Sequence, residues 1–117
     1  MSSNTTNQSE AELPLTKEAA ALLVERYLKT VQPIMPDNPW VINIPHTLEF
    51  DWGWVFFWHN KKFLETRDFD YEVGGNCPVI VNKFDGTLYS TGSARGIEYY
   101  IGLYLRDRSV LRKIELS

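Results

Sequence analysis

Three side chains in this sequence have types that could do covalent or metal chemistry: Cys77, His46 and His59. A cysteine nucleophile needs an adjacent imidazole to hold its thiolate. Cys77 stands between the turn Gly74-Gly75-Asn76 and Pro78, and no local spacing brings either histidine to it. A small residue at the start of a strand is ordinarily buried without further role, so no catalytic residue is expected. Two isolated histidines and one cysteine lack the short repeated spacings of a metal site, so no metal or other cofactor is expected. Gly74-Gly75 is followed by neither a Gly-Lys-Ser nor a Gly-Lys-Thr, nor by a helical pattern, and reads as a turn rather than a phosphate loop.

The carboxylates are more suggestive. Between residues 46 and 76 there are six acids (49, 51, 65, 68, 70, 72) against three bases (61, 62, 67). Nothing in their spacing sets two carboxyl groups in the contrasting environments that acid–base catalysis needs. The run Glu65, Asp68, Asp70, Glu72 reads either as a solvated loop or, with Phe63, Phe69 and Tyr71 interleaved, as a surface complementary to a basic partner. The aromatics Trp52, Trp54, Phe56, Phe57 and Trp58 are first of all core. A tryptophan left accessible at either end, Trp52 or Trp58, would be an anchor of the kind that dominates interfaces. The expected partner-binding set is therefore Glu65, Asp68, Phe69, Asp70, Tyr71 and Glu72, with Trp52 and Trp58 in reserve.

The elements that position these residues follow from periodicity. Ala20, Leu23, Val24, Tyr27, Leu28 and Val31 recur at helical spacing, which predicts a helix over 16–31 with Thr16 as N-cap and Pro33 forbidding continuation. A short strand is expected within 40–44. Alternation from Leu48 to Trp58 predicts one strand bent at Gly53 or two meeting there, with 54–58, apolar on both faces, central in the sheet. Residues 60–76 read as a polar connection. PVIVN (78–82) and TLYST (87–91) flank Lys83-Phe84-Asp85-Gly86 as an antiparallel hairpin with Gly86 at positive φ. Ile97, Tyr100, Ile101, Tyr104 and Leu105 predict a helix over 96–106. The tail 109–116 is an extra strand or an arm. Helix, strands, hairpin, helix without βαβ repetition implies a single α+β domain, its helices on one face of a mostly antiparallel sheet.

Length and composition agree. A chain of 117 residues with 44% hydrophobic and 23% charged residues buries one core, and residues 1–13 form a polar tail expected to be disordered ahead of a single domain over 14–117. A net charge of −3 disfavours a nucleic-acid partner. The longest apolar run, Trp54 to Trp58, is far short of the roughly 20 residues that cross a bilayer, so no membrane partner is expected. The start of the chain has neither the basic nor the apolar stretch of a signal peptide, which predicts a cytoplasmic protein. Oligomeric state is not encoded in any of these patterns.

The stretches Gly53-Trp54-Val55-Phe56-Phe57-Trp58, Phe63-Leu64-Glu65-Thr66 and Gly75-Asn76-Cys77-Pro78-Val79-Ile80-Val81, continuing through Asp85-Gly86-Thr87 and Thr91-Gly92-Ser93-Ala94 to Glu98-Tyr99-Tyr100-Ile101, resemble the immunity protein 35 family, also called the YrhB domain. The likeness runs over residues 50–105. One departure is Gly96, where such sequences often start the last helix with proline. The resemblance implies a small α+β immunity protein of bacterial polymorphic toxin systems. Its partner would be a toxin encoded by a neighbouring gene, which it neutralises by stoichiometric binding. A holdase-type chaperone or accessory protein-binding domain is the alternative, and a Cys77-dependent hydrolase the third; the family brings no catalytic residues with it.

Overall fold

The computed structural model describes residues 12–31, 36–67 and 77–116. Its centre is a five-stranded, wholly antiparallel sheet. The strands in chain order are β1 (Trp40–Ile42), β2 (Leu48–Phe50), β3 (Gly53–Phe56), β4 (Trp58–Asn60), β5 (Val79–Asn82), β6 (Leu88–Ser90) and β7 (Arg112–Ile114). The sheet order is β2-β3-β5-β6-β7, while β1 and β4 pair separately as a two-stranded ribbon. Helices α1 (Lys17–Leu28), α2 (Lys61–Thr66) and α3 (Ile97–Asp107) complete the α+β domain.

Strand side chains alternate between faces, and here both faces are apolar. Trp54, Phe56, Val79, Val81, Leu88 and Ile114 point one way and join Ala20, Val24 and Leu28 of α1 in one core. Val55, Ile80 and Tyr89 point the other way, against Tyr104, with Ile97 and Ile101 of α3 packed on them. The helices therefore cover opposite faces, which corrects the expectation of one helical face. The cause is the continuous apolar run in β3 and β5: a single covered face would leave Val55 and Ile80, both fully buried, in water, and each such side chain is worth about 1.5–3 kcal/mol.

Local chemistry sets the ends of these elements. The Thr16 hydroxyl accepts from the Ala19 N–H (3.1 Å), and α1 runs to Leu28 with Lys29 as C-cap. In the β5–β6 turn Asn82 Oδ1 accepts from the N–H groups of Phe84 and Asp85, Asp85 Oδ1 accepts from the Thr87 N–H and hydroxyl, and Gly86 takes φ +73°. The tail becomes β7, paired with β6 through Leu88↔Ile114. Arg108, just past α3, pairs with Asp85 and so ties the C-terminal segment to the hairpin.

Gly53 divides β2 from β3, and it pairs with Asn82 where the two main chains nearly touch. A Cβ there would sit 1.9 Å from the Val81 carbonyl oxygen, at φ +156°. The continuous strand expected over 54–58 ends instead at Phe56. Phe57 breaks it, its carbonyl accepting from the Asn43 N–H (2.8 Å), and Trp58 enters the ribbon opposite Ile42. The strand expected within 40–44 is likewise cut to 40–42, because Pro45 lies in a 3₁₀ turn over Ile44–His46. Six residues of the connection expected over 60–76 are helical.

Three expected outcomes follow. Gly53→Ala loses about 3 kcal/mol or more of stability in chemical denaturation, through main-chain clash and strain together. Gly102→Ala, in α3 with nothing within 4 Å of the new methyl, gains about 0.5–1 kcal/mol. Asp85→Asn tests the hairpin tie. Partial burial alone would raise the Asp85 carboxyl, but the Thr87 hydroxyl and N–H and the Arg108 guanidinium outweigh it and hold it below the ordinary carboxylate value of 3.8. A lowered folded-state pKa stabilises the fold above the unfolded value, and that contribution disappears as pH falls through the lowered one. The variant should therefore melt below wild type at neutral pH and converge with it in strong acid.

Candidate functional site

The bend at Phe57 leaves a seam between the five-stranded sheet and the β1–β4 ribbon, and α2 roofs it. Three successive N–H groups at the start of α2 have acceptors: Lys61 donates to the Pro39 carbonyl (2.8 Å), Lys62 to Asn38 Oδ1 (2.8 Å) and Phe63 to Asn60 Oδ1 (2.8 Å). Orphan donors at a helix start are otherwise left to water, so this short helix is fastened to the ribbon rather than open to an anion. Its far end is closed by Arg67 at φ 57°, the one non-glycine residue at positive φ among the described residues.

Under α2 lies a groove of about 430 Å³. The 3₁₀ turn and β2 supply Asn43, His46 and Leu48; the bend and β4 supply Phe57, Trp58 and His59; α2 supplies Phe63, Leu64 and Arg67; the first turn of α3 supplies Ile97 and Glu98. The walls are mostly apolar or aromatic. His59 stacks on Phe63 (centroids 4.2 Å apart) while its Nδ1 accepts from the Asn60 N–H (2.8 Å), and the Arg67 guanidinium lies over the Phe63 ring at 5.7 Å.

Of the expected partner-binding residues, Trp58 lines this groove, but it is 8% exposed, its indole edge-on to Trp40 and its Nε1–H donating to the Cys77 carbonyl (2.6 Å). Trp52 is half-buried on the α3 face, stacked on Phe50 (4.8 Å) and tilted against Tyr104 (4.8 Å), and is not part of the groove lining. Glu65 is exposed on α2 and faces Lys61 at 3.9 Å. Asp68, Phe69, Asp70, Tyr71 and Glu72 lie outside the described residues. Sequence reasoning missed His46, His59 and Glu98 as groove members. The one local signal was Asn60 as an N-cap ahead of Phe63-Leu64.

Both histidines border the groove and Cys77 does not. Among the described residues no group of three His, Cys, Asp or Glu side chains could hold a metal ion. No helix among them is long and apolar enough to cross a membrane.

The model of a protein family described as Immunity protein 35 matches residues 17–100, from the start of α1 into α3. The sequence is also similar to the uncharacterized protein YrhB of Escherichia coli strain K12, with 38% identity over 55 residues. That alignment covers 47% of this chain and 58% of YrhB, so the match spans little more than half of the curated relative. No solved structure matches significantly.

Because α2 hangs on its cap, Asn60→Ala should cost about 1 kcal/mol and strip hydrogen-exchange protection from the Phe63 amide before that of β3 and β5. Equal protection in the variant would show that α2 is held by its side chains alone.

Proposed function

Because the chain belongs to the Immunity protein 35 family, we propose that it is a cytoplasmic immunity protein of a bacterial polymorphic toxin system, and that it binds and neutralises a toxin encoded by a neighbouring gene as a stoichiometric inhibitor. The observation that carries this reading is the family match over residues 17–100, which takes in α1, six of the seven strands and α2. The geometry supports a binding role rather than a catalytic one. The groove is concave and its walls are mostly apolar or aromatic, as recognition sites are.

The residues assigned to the toxin are Glu65 on α2 and Trp58 in the groove wall, together with Asp68, Phe69, Asp70, Tyr71 and Glu72, which lie outside the described residues. Trp52, at the β2–β3 turn, is kept as a second anchor. A partner for this acidic run is basic. Exposed charges of this kind act chiefly on the association rate, whereas an aromatic anchor acts on dissociation.

The experiment is titration of the full chain with the purified toxin domain of the neighbouring gene, beside a protection assay in cells. A one-to-one complex and loss of toxicity are expected. Neutralising Glu65, Asp68, Asp70 and Glu72 together should slow association and flatten its salt dependence, and Tyr71→Ala should speed dissociation about tenfold or more. Cys77→Ala should protect as wild type does. Protection lost in Cys77→Ala, with melting and toxin affinity unchanged, would instead establish a Cys77-dependent enzyme.

A further inference from the structure

The β1–β4 ladder leaves one main-chain group beneath the roof to a titratable side chain. Asn43 donates to the Phe57 carbonyl (2.8 Å) and Lys61 to the Pro39 carbonyl (2.8 Å), while Val41 stands opposite His59. Bonds between antiparallel strands fall on alternate residues, here Phe57, His59 and Lys61. The Asn60 N–H therefore points away from β1. Asn60 is 4% exposed, and this N–H donates to Nδ1 of the preceding His59 (2.8 Å). A ring nitrogen that accepts such a bond carries no proton. Asn60 in turn caps α2 by accepting from the Phe63 N–H (2.8 Å), and the His59 ring stacks on Phe63 (4.2 Å).

Protonating Nδ1 sets two donors against each other. The buried Asn60 N–H loses this acceptor, and the imidazolium must turn out of its stack. A second cation beside Phe63 is also opposed by the Arg67 guanidinium, which already lies over that ring (5.7 Å). Two further titratable groups border the groove: His46 from the 3₁₀ turn, which repels an imidazolium when itself charged, and the exposed Glu98 of α3, which attracts one. On α2, Lys61 and Lys62 are engaged by Glu65 (3.9 Å) and Asp37 (3.2 Å). Of all these groups only the imidazoles belong to a class that changes charge between about pH 5 and 8. We propose that α2 is an acid-released roof: protonation of His59 Nδ1 takes the acceptor from the Asn60 N–H, the cap on Phe63 goes with it, and the helix comes off the groove. A helix of six residues does not hold without its fastenings. The docked roof requires a neutral ring and the released one does not, so release is favoured as pH falls through the ordinary imidazole value of about 6.5 and suppressed above it.

The test is amide hydrogen exchange of the full chain, read as protection of Lys62 and Phe63 relative to Val55 and Ile80 in the sheet; it needs no toxin and leaves the toxin-binding reading untouched. Between about pH 7.5 and about pH 5, wild-type protection of the two roof amides should fall about thirtyfold, the change expected when a released imidazole takes up one proton at about 6.5. His59→Asn, whose Oδ1 stands in for Nδ1 and takes no proton, should keep one level of protection across that range. His46→Gln should fall as wild type does. His59→Phe retains a ring against Phe63 but offers no acceptor, and its roof amides should be weakly protected at both ends of the range. Should His59→Phe lose the sheet as well, wild type against His59→Asn decides. Roof protection in wild type that does not change with pH overturns the proposal. An equal fall in His59→Asn, or a fall abolished by His46→Gln, overturns it too, since the titrating group is then not His59.

Discussion

The structure depends on the antiparallel pairing of β3 with β5, two strands whose side chains are buried on both faces. Trp54 and Phe56 with Val79 and Val81 require one cover, and Val55 with Ile80 a second. A two-sided core cannot be closed by one helix, so α1 and α3 are recruited from the two ends of the chain to opposite faces. The close approach at Gly53 belongs to the same constraint. The main chains of β3 and β5 meet where a Cβ would overlap the Val81 carbonyl, and glycine lets the ladder run to the end of the pair. Tyr104 then serves both helix and sheet, its hydroxyl accepting from Asn82 Nδ2 (2.6 Å) and its ring against Tyr89.

The groove is a consequence of how that pairing stops. Beyond Phe56 the chain cannot continue beside β5, because β5 begins at Val79, which is the register partner of Phe56. Trp58 therefore turns into the ribbon with β1, and the seam between ribbon and sheet must be roofed by α2. The sheet's own edges are poor places for a partner. β2 is three residues long with Glu49 paired to Lys17 (2.8 Å), and β7 presents exposed Arg112 and Lys113. Short, charged edges discourage strand addition.

Features with local causes were legible in the sequence: the Thr16 cap, the Asp85-Gly86 turn, the α3 periodicity and the α+β order. The division of Trp54 to Trp58 between two sheets was not. Five consecutive apolar residues have no period, and the point where one sheet hands over to another is set by the length of β5, twenty-odd residues away. Lys61–Thr66 spans fewer than two turns, too short for periodicity to register, and it exists because Asn38, Pro39 and Asn60 accept its first N–H groups. Glu98 was visible only as a first-turn acid. Its place on a groove wall depends on five separate segments meeting, which no spacing in the chain encodes. The family likeness, read over 50–105, extends in the family match back to α1, whose amphipathic pattern is too common to carry a resemblance by itself.

The same geometry bears on the choice between binder and enzyme. Bond-breaking by cysteine requires the thiol and a base within hydrogen-bond reach of one another and of a reacting atom. Here the imidazoles of His46 and His59 border the groove, Cys77 is not part of its lining, and the Cys77 carbonyl oxygen accepts from the Trp58 indole. His59 spends Nδ1 on the Asn60 N–H that starts α2, so this imidazole is part of the roof's fastening. The groove's charged lining residues, Arg67 and Glu98, come from the end of α2 and the first turn of α3, and its walls are otherwise mostly apolar or aromatic.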